Sequence, residues 1–311
     1  MNQEPDKPKY IIVLGTTYSG SGAVQDYLTG RGDLYDPLRG AEYLLPQAPG
    51  GLMSLEAAAG QAFHHAISDH AVIHFLELAR KLARPSTRSQ YGKGYAVCIP
   101  DFLSAVENFL DEVIAARMPM QLDWHKSVES NSRRLLWWLK THLGRRRQAD
   151  PTHILVPDDE LVVAAQTMHD RLFQPSSHKP VLLNQAGSGW NPVESSKYFD
   201  GRKVVLVTRD PRDQFAELKQ FKKAQDVKEF IKWFRALQQR IAAVDEGVLR
   251  KMPFEDFVCN NKAAVISLCD HFGLDGSVPS SYQASLSEKN IGKYKRWLTP
   301  HEIERIEADL L

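Results

Sequence analysis

Two rhythms of apolar and polar positions run along this chain. Tyr10 to Leu14 is an unbroken apolar run ending at Gly15, the pattern of a strand covered on both faces. A helix is expected over Ala23 to Leu28, stopping near Gly30. Two more buried-strand runs come late, Pro180 to Asn184 and Lys203 to Thr208, with a shorter one at Ile154 to Val156. Between them, from about Ser54 to Leu143, apolar residues return at helical spacing. Ser54 and Glu56 lead into an Ala-rich run that predicts one helix continuing to Ala83. Asp101 to Ala116 and Lys126 to Leu143 are further amphipathic candidates, separated by Pro100, Pro119 and polar residues, and Pro85 to Arg88 reads as a loop. Later helices are expected at Asp158 to Phe173, Arg212 to Phe221, Val227 to Val244, Lys262 to Phe272 and Pro300 to Leu311. This order predicts an α/β fold: a central parallel sheet flanked by helices, with a largely helical insertion. One domain over 1–311 is expected, with 54–150 as the insertion. The pattern contains no internal repeat.

Composition narrows the classes. Hydrophobic residues are 43% of the 311 and charged residues 25%, enough apolar material for a core. The formal charge is +1, so no global field favours nucleic acid, and any anion site must be built locally. Cys98, Cys259 and Cys269 lie far from any CxxC or Cys/His metal spacing and read as reduced thiols. The first ten residues are polar rather than signal-like, and no run approaches the roughly 18 apolar residues that cross a bilayer. A soluble, cytoplasmic protein is expected; its oligomeric state is not legible.

The chemistry begins after the first strand. Gly15 to Gly22 holds three glycines and four hydroxyl residues in eight positions. Small residues let the backbone curl so that successive N–H groups face one anion, and the helix that follows adds its positive dipole end. Ser19 and Ser21 are expected to supply hydroxyl donors. The spacing from Gly15 to Gly20 matches the nucleoside-triphosphatase loop GxxxxGK[ST], but Ser21 stands at the lysine position and Gly22 at the Mg²⁺-binding hydroxyl position. A phosphate without a required metal is therefore the expected ligand.

A second motif, Thr208-Arg-Asp-Pro-Arg-Asp213, closes the late strand. An arginine at a strand's carboxyl end is placed to reach a ligand in a doubly wound sheet, and Asp210 with Pro211 suits a helix start. Arg209 and Arg212 either offer donors to a second phosphate or pair with Asp210 and Asp213.

Together, Tyr18-Ser-Gly-Ser-Gly22 and Val207-Thr-Arg-Asp-Pro-Arg-Asp213 resemble the motifs of the sulfotransferase superfamily, bacterial-type branch. Met252 to Phe257 looks like that family's strand-to-helix junction, and Asn290-Ile-Gly-Lys-Tyr-Lys295 like its C-terminal loop. The likeness covers about residues 10 to 45 and 180 to 311. It implies a P-loop-type sheet and 3′-phosphoadenosine 5′-phosphosulfate (PAPS) as donor, with the 3′,5′-bisphosphate PAP as product and no metal. It also implies a donor site of Thr17, Ser19, Gly20, Ser21, Gly22 and Ala23 with Arg209, Asn290, Gly292 and Lys293; Lys289 is a further candidate. Two positions depart from the family. Tyr18 stands where a basic residue assists the leaving phosphate. Eight residues after Arg209, Glu217 stands where a serine binds the 3′-phosphate, so Glu217 must turn away or the helix must shift register.

Sulfuryl transfer is an in-line displacement that needs a base for the acceptor proton. In branches of the family that base is a glutamate beyond the first loop. Glu42 is the first choice here, Asp36 the alternative, and Arg39 a candidate cation. His70 and His74, four apart, would share a helix face without an evident third metal ligand, and His64 and His65 are weaker base candidates. Arg133, Arg134 and Arg145 to Arg147 flank Leu135 to Leu139, either as solvated ends of a buried helix or as a basic rim for an anionic glycan or lipid headgroup. The expected activity is sulfuryl transfer to a hydroxyl of a carbohydrate or other small acceptor, the insertion forming the acceptor pocket. The alternatives are a P-loop kinase or other nucleotide phosphotransferase, and a catalytically degenerate nucleotide-binding module.

Overall fold

The structure, a computed structural model, describes residues 8–85, 94–119, 151–175, 179–242 and 247–311, with 131, 132, 135, 138 and 139. Four strands form the central sheet: β1 (Tyr10–Gly15), β4 (Val181–Asn184), β5 (Arg202–Thr208) and β6 (Leu249–Pro253), in the order β4-β1-β5-β6. Every pairing in it is parallel. β1 lies in the middle, which explains its unbroken apolar sequence: neither face meets water.

Successive residues of β1 feed two different cores. Tyr10, Ile12 and Leu14 point with Leu183, Val204 and Leu206 toward one face. Ile11 and Val13 point with Leu182, Val205 and Val207 toward the other. Helices Leu52–Ala59, His65–Ala83 and Phe102–Val113 cover the first face through Leu55, Phe75 and Phe109, joined by Leu161 of helix Asp158–Phe173. Helix Ser21–Arg31 and the pair Phe254–Cys259 and Asn261–Phe272 cover the second. Helices Pro211–Gln220, Val227–Ala242 and Pro300–Leu310 share a third apolar cluster around Phe215, Phe230 and Ile306.

Three expectations are corrected. The helix expected from Ser54 to Ala83 is two helices, because the chain breaks at Gly60, where a Cβ would lie 2.4 Å from Asp158 Oδ2. The helix expected to reach Ala116 ends at Val113; Ile114–Pro119 continues as β2. The short run at Ile154 does not join the main sheet. It belongs to β3 (Pro151–Leu155), antiparallel to β2 in a separate ribbon. Buried Asp69 secures that ribbon to its helix, its Oδ1 accepting the backbone N–H of His153 at 3.0 Å and pairing with its Nδ1 at 2.8 Å. The candidate helix Lys126 to Leu143 and the arginines at 133, 134 and 145–147 lie outside the described residues, isolated positions aside. Of the apolar run, Leu135, Trp138 and Leu139 are described, and all three are exposed.

Candidate functional site

β1 ends at Gly15, and residues 16–20 turn the chain into helix Ser21–Arg31. The turn is braced from within. Ser19 donates its N–H to Thr16 O at 2.9 Å, and its Oγ accepts the Thr16 N–H at 3.1 Å. Gln185, just past β4, accepts the Gly15 N–H at 3.3 Å and donates to Ser21 Oγ at 3.0 Å. Gln214 donates to Thr16 Oγ1 at 3.2 Å and to Thr17 O. Both serine oxygens thus lie under the loop: a Cβ on Gly15 would come within 2.4 Å of Ser19 Oγ and 2.6 Å of Ser21 Oγ. Ser19 is buried. The N–H groups of Ser21 and Gly22 open the helix, where no preceding turn offers a carbonyl, so they are available to an anion.

Arg209 directly follows β5 beside this loop and is buried. Its Nη1 donates to Tyr18 O at 2.8 Å and to Glu217 Oε2, and its Nη2 donates to Asn290 O at 2.6 Å. Its Nε is buried with no partner among the described residues. The guanidinium lies 5.2 Å over the Phe254 ring. Glu217 therefore neither turns away nor shifts register: it forms an ion pair with Arg209, and its other oxygen lies 3.5 Å from Lys293 Nζ. Tyr18 sits at φ 59, its ring stacked on Phe221 with centroids 5.2 Å apart.

These groups enclose a cleft of about 290 Å³. Tyr18, Gly20, Gly22 and Ala23 form one wall, Arg209, Glu217 and Phe254 the next, and Ser287 with Asn290 the third. Asp26 also lines it, and burial pushes its carboxyl above the ordinary range. Glu217 and Asp26 thus place two carboxylates in the same cleft as Arg209.

Protein contacts hold the C-terminal loop in place. Buried Asp213 accepts the N–H groups of Gly292 at 2.7 Å and Tyr294 at 2.9 Å. Arg212 stays outside the cleft, paired with Asp210 and Glu307 and stacked 4.4 Å over Tyr294, which resolves its two readings in favour of structure. Lys289 is exposed.

Glu42 reaches the same end of the sheet by another route. Isolated pairings Tyr35↔Val181 and Glu42↔Asn184 run this segment beside β4, and Asn184 pairs with Val13 of β1. Glu42 is therefore two strand spacings, roughly 10 Å, from Val13. The Tyr95 hydroxyl donates to Glu42 O at 2.6 Å and fixes its backbone. Burial raises the Glu42 carboxyl above its usual range. Asp36 organises the neighbouring turn by accepting the N–H groups of Leu38 and Gly40, and Arg39 at φ 53 is exposed. His64 caps its helix by accepting from Ala66 N, while His70 and His74 place their rings 4.0 Å apart on an exposed face. Among the described residues no group of three His, Cys, Asp or Glu could hold a metal ion.

Sequence reasoning misses the roles of Gln185, Gln214, Asp213 and Phe254. Two of them left a signal, Asp213 as the last residue of the second motif and Phe254 within the Met252 to Phe257 junction.

Comparison with solved structures adds a likeness. The chain is similar to sulfotransferase domains. One, from the olefin synthase of Synechococcus PCC 7002, is 13% identical with a TM-score of 0.46, over 98% of this chain and 97% of the other. Another, from the curacin biosynthetic pathway, is 11% identical at a TM-score of 0.42, over 98% of each. Sulfotransferase STF1 from Mycobacterium tuberculosis H37Rv is 12% identical at 0.36, over 95% and 72%. No family model and no curated protein matches the chain.

Proposed function

We propose that the chain transfers a sulfuryl group from an adenosine 5′-phosphosulfate nucleotide to a hydroxyl of a carbohydrate or other small acceptor. One observation carries this: a phosphate loop lacking both the lysine and the metal-holding hydroxyl of triphosphatases shares a cleft with a buried arginine. The motif resemblance names PAPS as a donor of this class, and the cleft's ribose end, at Arg209, decides whether a 3′-phosphate is taken.

The site's groups suit the 5′ end of such a nucleotide. The amides of Ser21 and Gly22 face its phosphate, and the helix dipole adds to them. The donor supplies an activated sulfuryl group: the acceptor oxygen bonds to sulfur as the bond to the phosphate oxygen breaks. Glu42 takes the acceptor's proton, its raised carboxyl making it a better base than an ordinary glutamate. The described helices of the insertion at 54–150, packed on the same core as the sheet, provide the acceptor side of a single domain. Tyr18, without positive charge and stacked on Phe221, favours a second reading, a nucleotide-binding module without turnover.

Gly22→Asp tests the loop. Nothing lies within 4 Å of a Cβ there, so the fold tolerates the change, yet the new carboxylate sits where the phosphate would bind. Titration calorimetry in EDTA should show adenosine nucleotide binding that Gly22→Asp weakens by roughly tenfold or more. Undiminished binding, or tighter Mg²⁺-dependent ATP binding, sinks the reading and puts the kinase alternative first.

A further inference from the structure

We infer that Glu217 makes this cleft select a nucleotide whose ribose hydroxyls are free, a nucleoside 5′-phosphosulfate without a 3′-phosphate. The inference rests on the reading of the cleft as a 5′-phosphosulfate nucleotide site and names the donor within that class.

The cleft offers a ligand few free donors. A guanidinium has five N–H donors. Tyr18 O, Glu217 and Asn290 O take three of those on Arg209. A second cation, Lys293, also faces Glu217, at 3.5 Å. One carboxylate thus engages both Arg209 and Lys293, and Asp26 adds another negative group to the same cleft. A 3′-phosphate arriving here would bring about two negative charges against Glu217 on a shared guanidinium, the juxtaposition that destabilises like charges.

A ribose hydroxyl meets the opposite situation. It is both donor and acceptor. Its hydrogen suits the Glu217 carboxylate, which lines the cleft. A carboxylate that accepts from ribose hydroxyls, where an arginine would favour a ribose phosphate, is the discrimination dinucleotide sites use between their two cofactors. Arg209 and Glu217 hold each other in place, with 2% and 16% of their side chains exposed, so the pair is fixed before any ligand arrives.

The test is calorimetric titration in EDTA of wild type and Glu217→Ser with AMP and with adenosine 3′,5′-bisphosphate. AMP should bind wild type at least roughly tenfold more tightly than the bisphosphate, the factor carried by one hydrogen bond to a charged group. Glu217→Ser should reverse the order. Sulfuryl transfer should follow the same preference, with adenosine 5′-phosphosulfate ahead of PAPS in wild type. A wild type that prefers the bisphosphate overturns the inference and leaves the sulfotransferase reading standing. An unchanged preference in Glu217→Ser also overturns it. Failure of both nucleotides to bind removes the nucleotide reading and the inference with it. If Glu217→Ser does not fold, Glu217→Gln keeps the shape without the charge, and loss of the AMP preference is its expected result.

Discussion

At Gly20 the backbone sits at φ 84, and a Cβ would lie 2.4 Å from Cδ2 of buried Phe254. Gly20→Ala therefore meets both a left-handed backbone and an aromatic wall, and should cost about 1–3 kcal/mol. Thermal unfolding measures the loss, and a midpoint unchanged from wild type would mean the turn can be rebuilt. At Glu42 the effect should be on rate alone. Burial raises its carboxyl, so the acid limb of the rate–pH profile should lie above the ordinary glutamate range, with activity falling as the base is protonated. Glu42→Gln should abolish turnover and leave nucleotide affinity intact; retained turnover assigns the base elsewhere. Residues whose type announces a ligand, such as the loop glycines and Arg209, are legible in sequence. Gln185 is not. It supports Gly15 and Ser21 from the end of the neighbouring strand β4, and no local pattern marks a glutamine for that task.

Among the elements, the segment around Asn290 depends on one carboxylate. Asp213 holds Gly292 and Tyr294, and Arg209 holds Asn290, so helix Pro211–Gln220 and the strand before it secure the cleft's third wall. Asp213→Ala should leave two N–H groups without their acceptor and free this segment, at a cost of about 1–3 kcal/mol. Hydrogen exchange should then quicken at 290–294 while β1 and β5 keep their protection; uniform quickening would show that Asp213 supports the whole fold instead. The buried strands were readable because parallel strands covered on both faces carry unbroken apolar runs. Helix ends were readable where chemistry marks them, as at Pro211 with Asp210. The β2–β3 ribbon was not: Ile114–Pro119 is exposed after its first residue, and its pairing with β3 is set from a distance by Asp69.

For the whole molecule, the first core is sensitive to acid through His169. This ring is fully buried, pairs through Nε2 with the Tyr43 hydroxyl at 3.1 Å and bonds through Nδ1 to Tyr198 O at 2.8 Å. Burial holds its pKa down to about 4, against 6.5 in the open chain. Between those values the unfolded chain binds a proton that the folded chain does not, so stability falls as pH drops from 6.5 toward 4. The loss should approach about 3 kcal/mol. Urea unfolding at pH 7 and pH 5 measures it, and His169→Gln should flatten the slope; the same slope in the variant would place the acid sensitivity elsewhere. The cleft's layout also sets an order of events during synthesis. Gly20 precedes Asn290 by 270 residues. At cellular translation rates the loop exists for roughly a quarter of a minute to a minute before the segment that faces it is made. A nascent chain can thus assemble much of its sheet while the cleft still lacks its third wall.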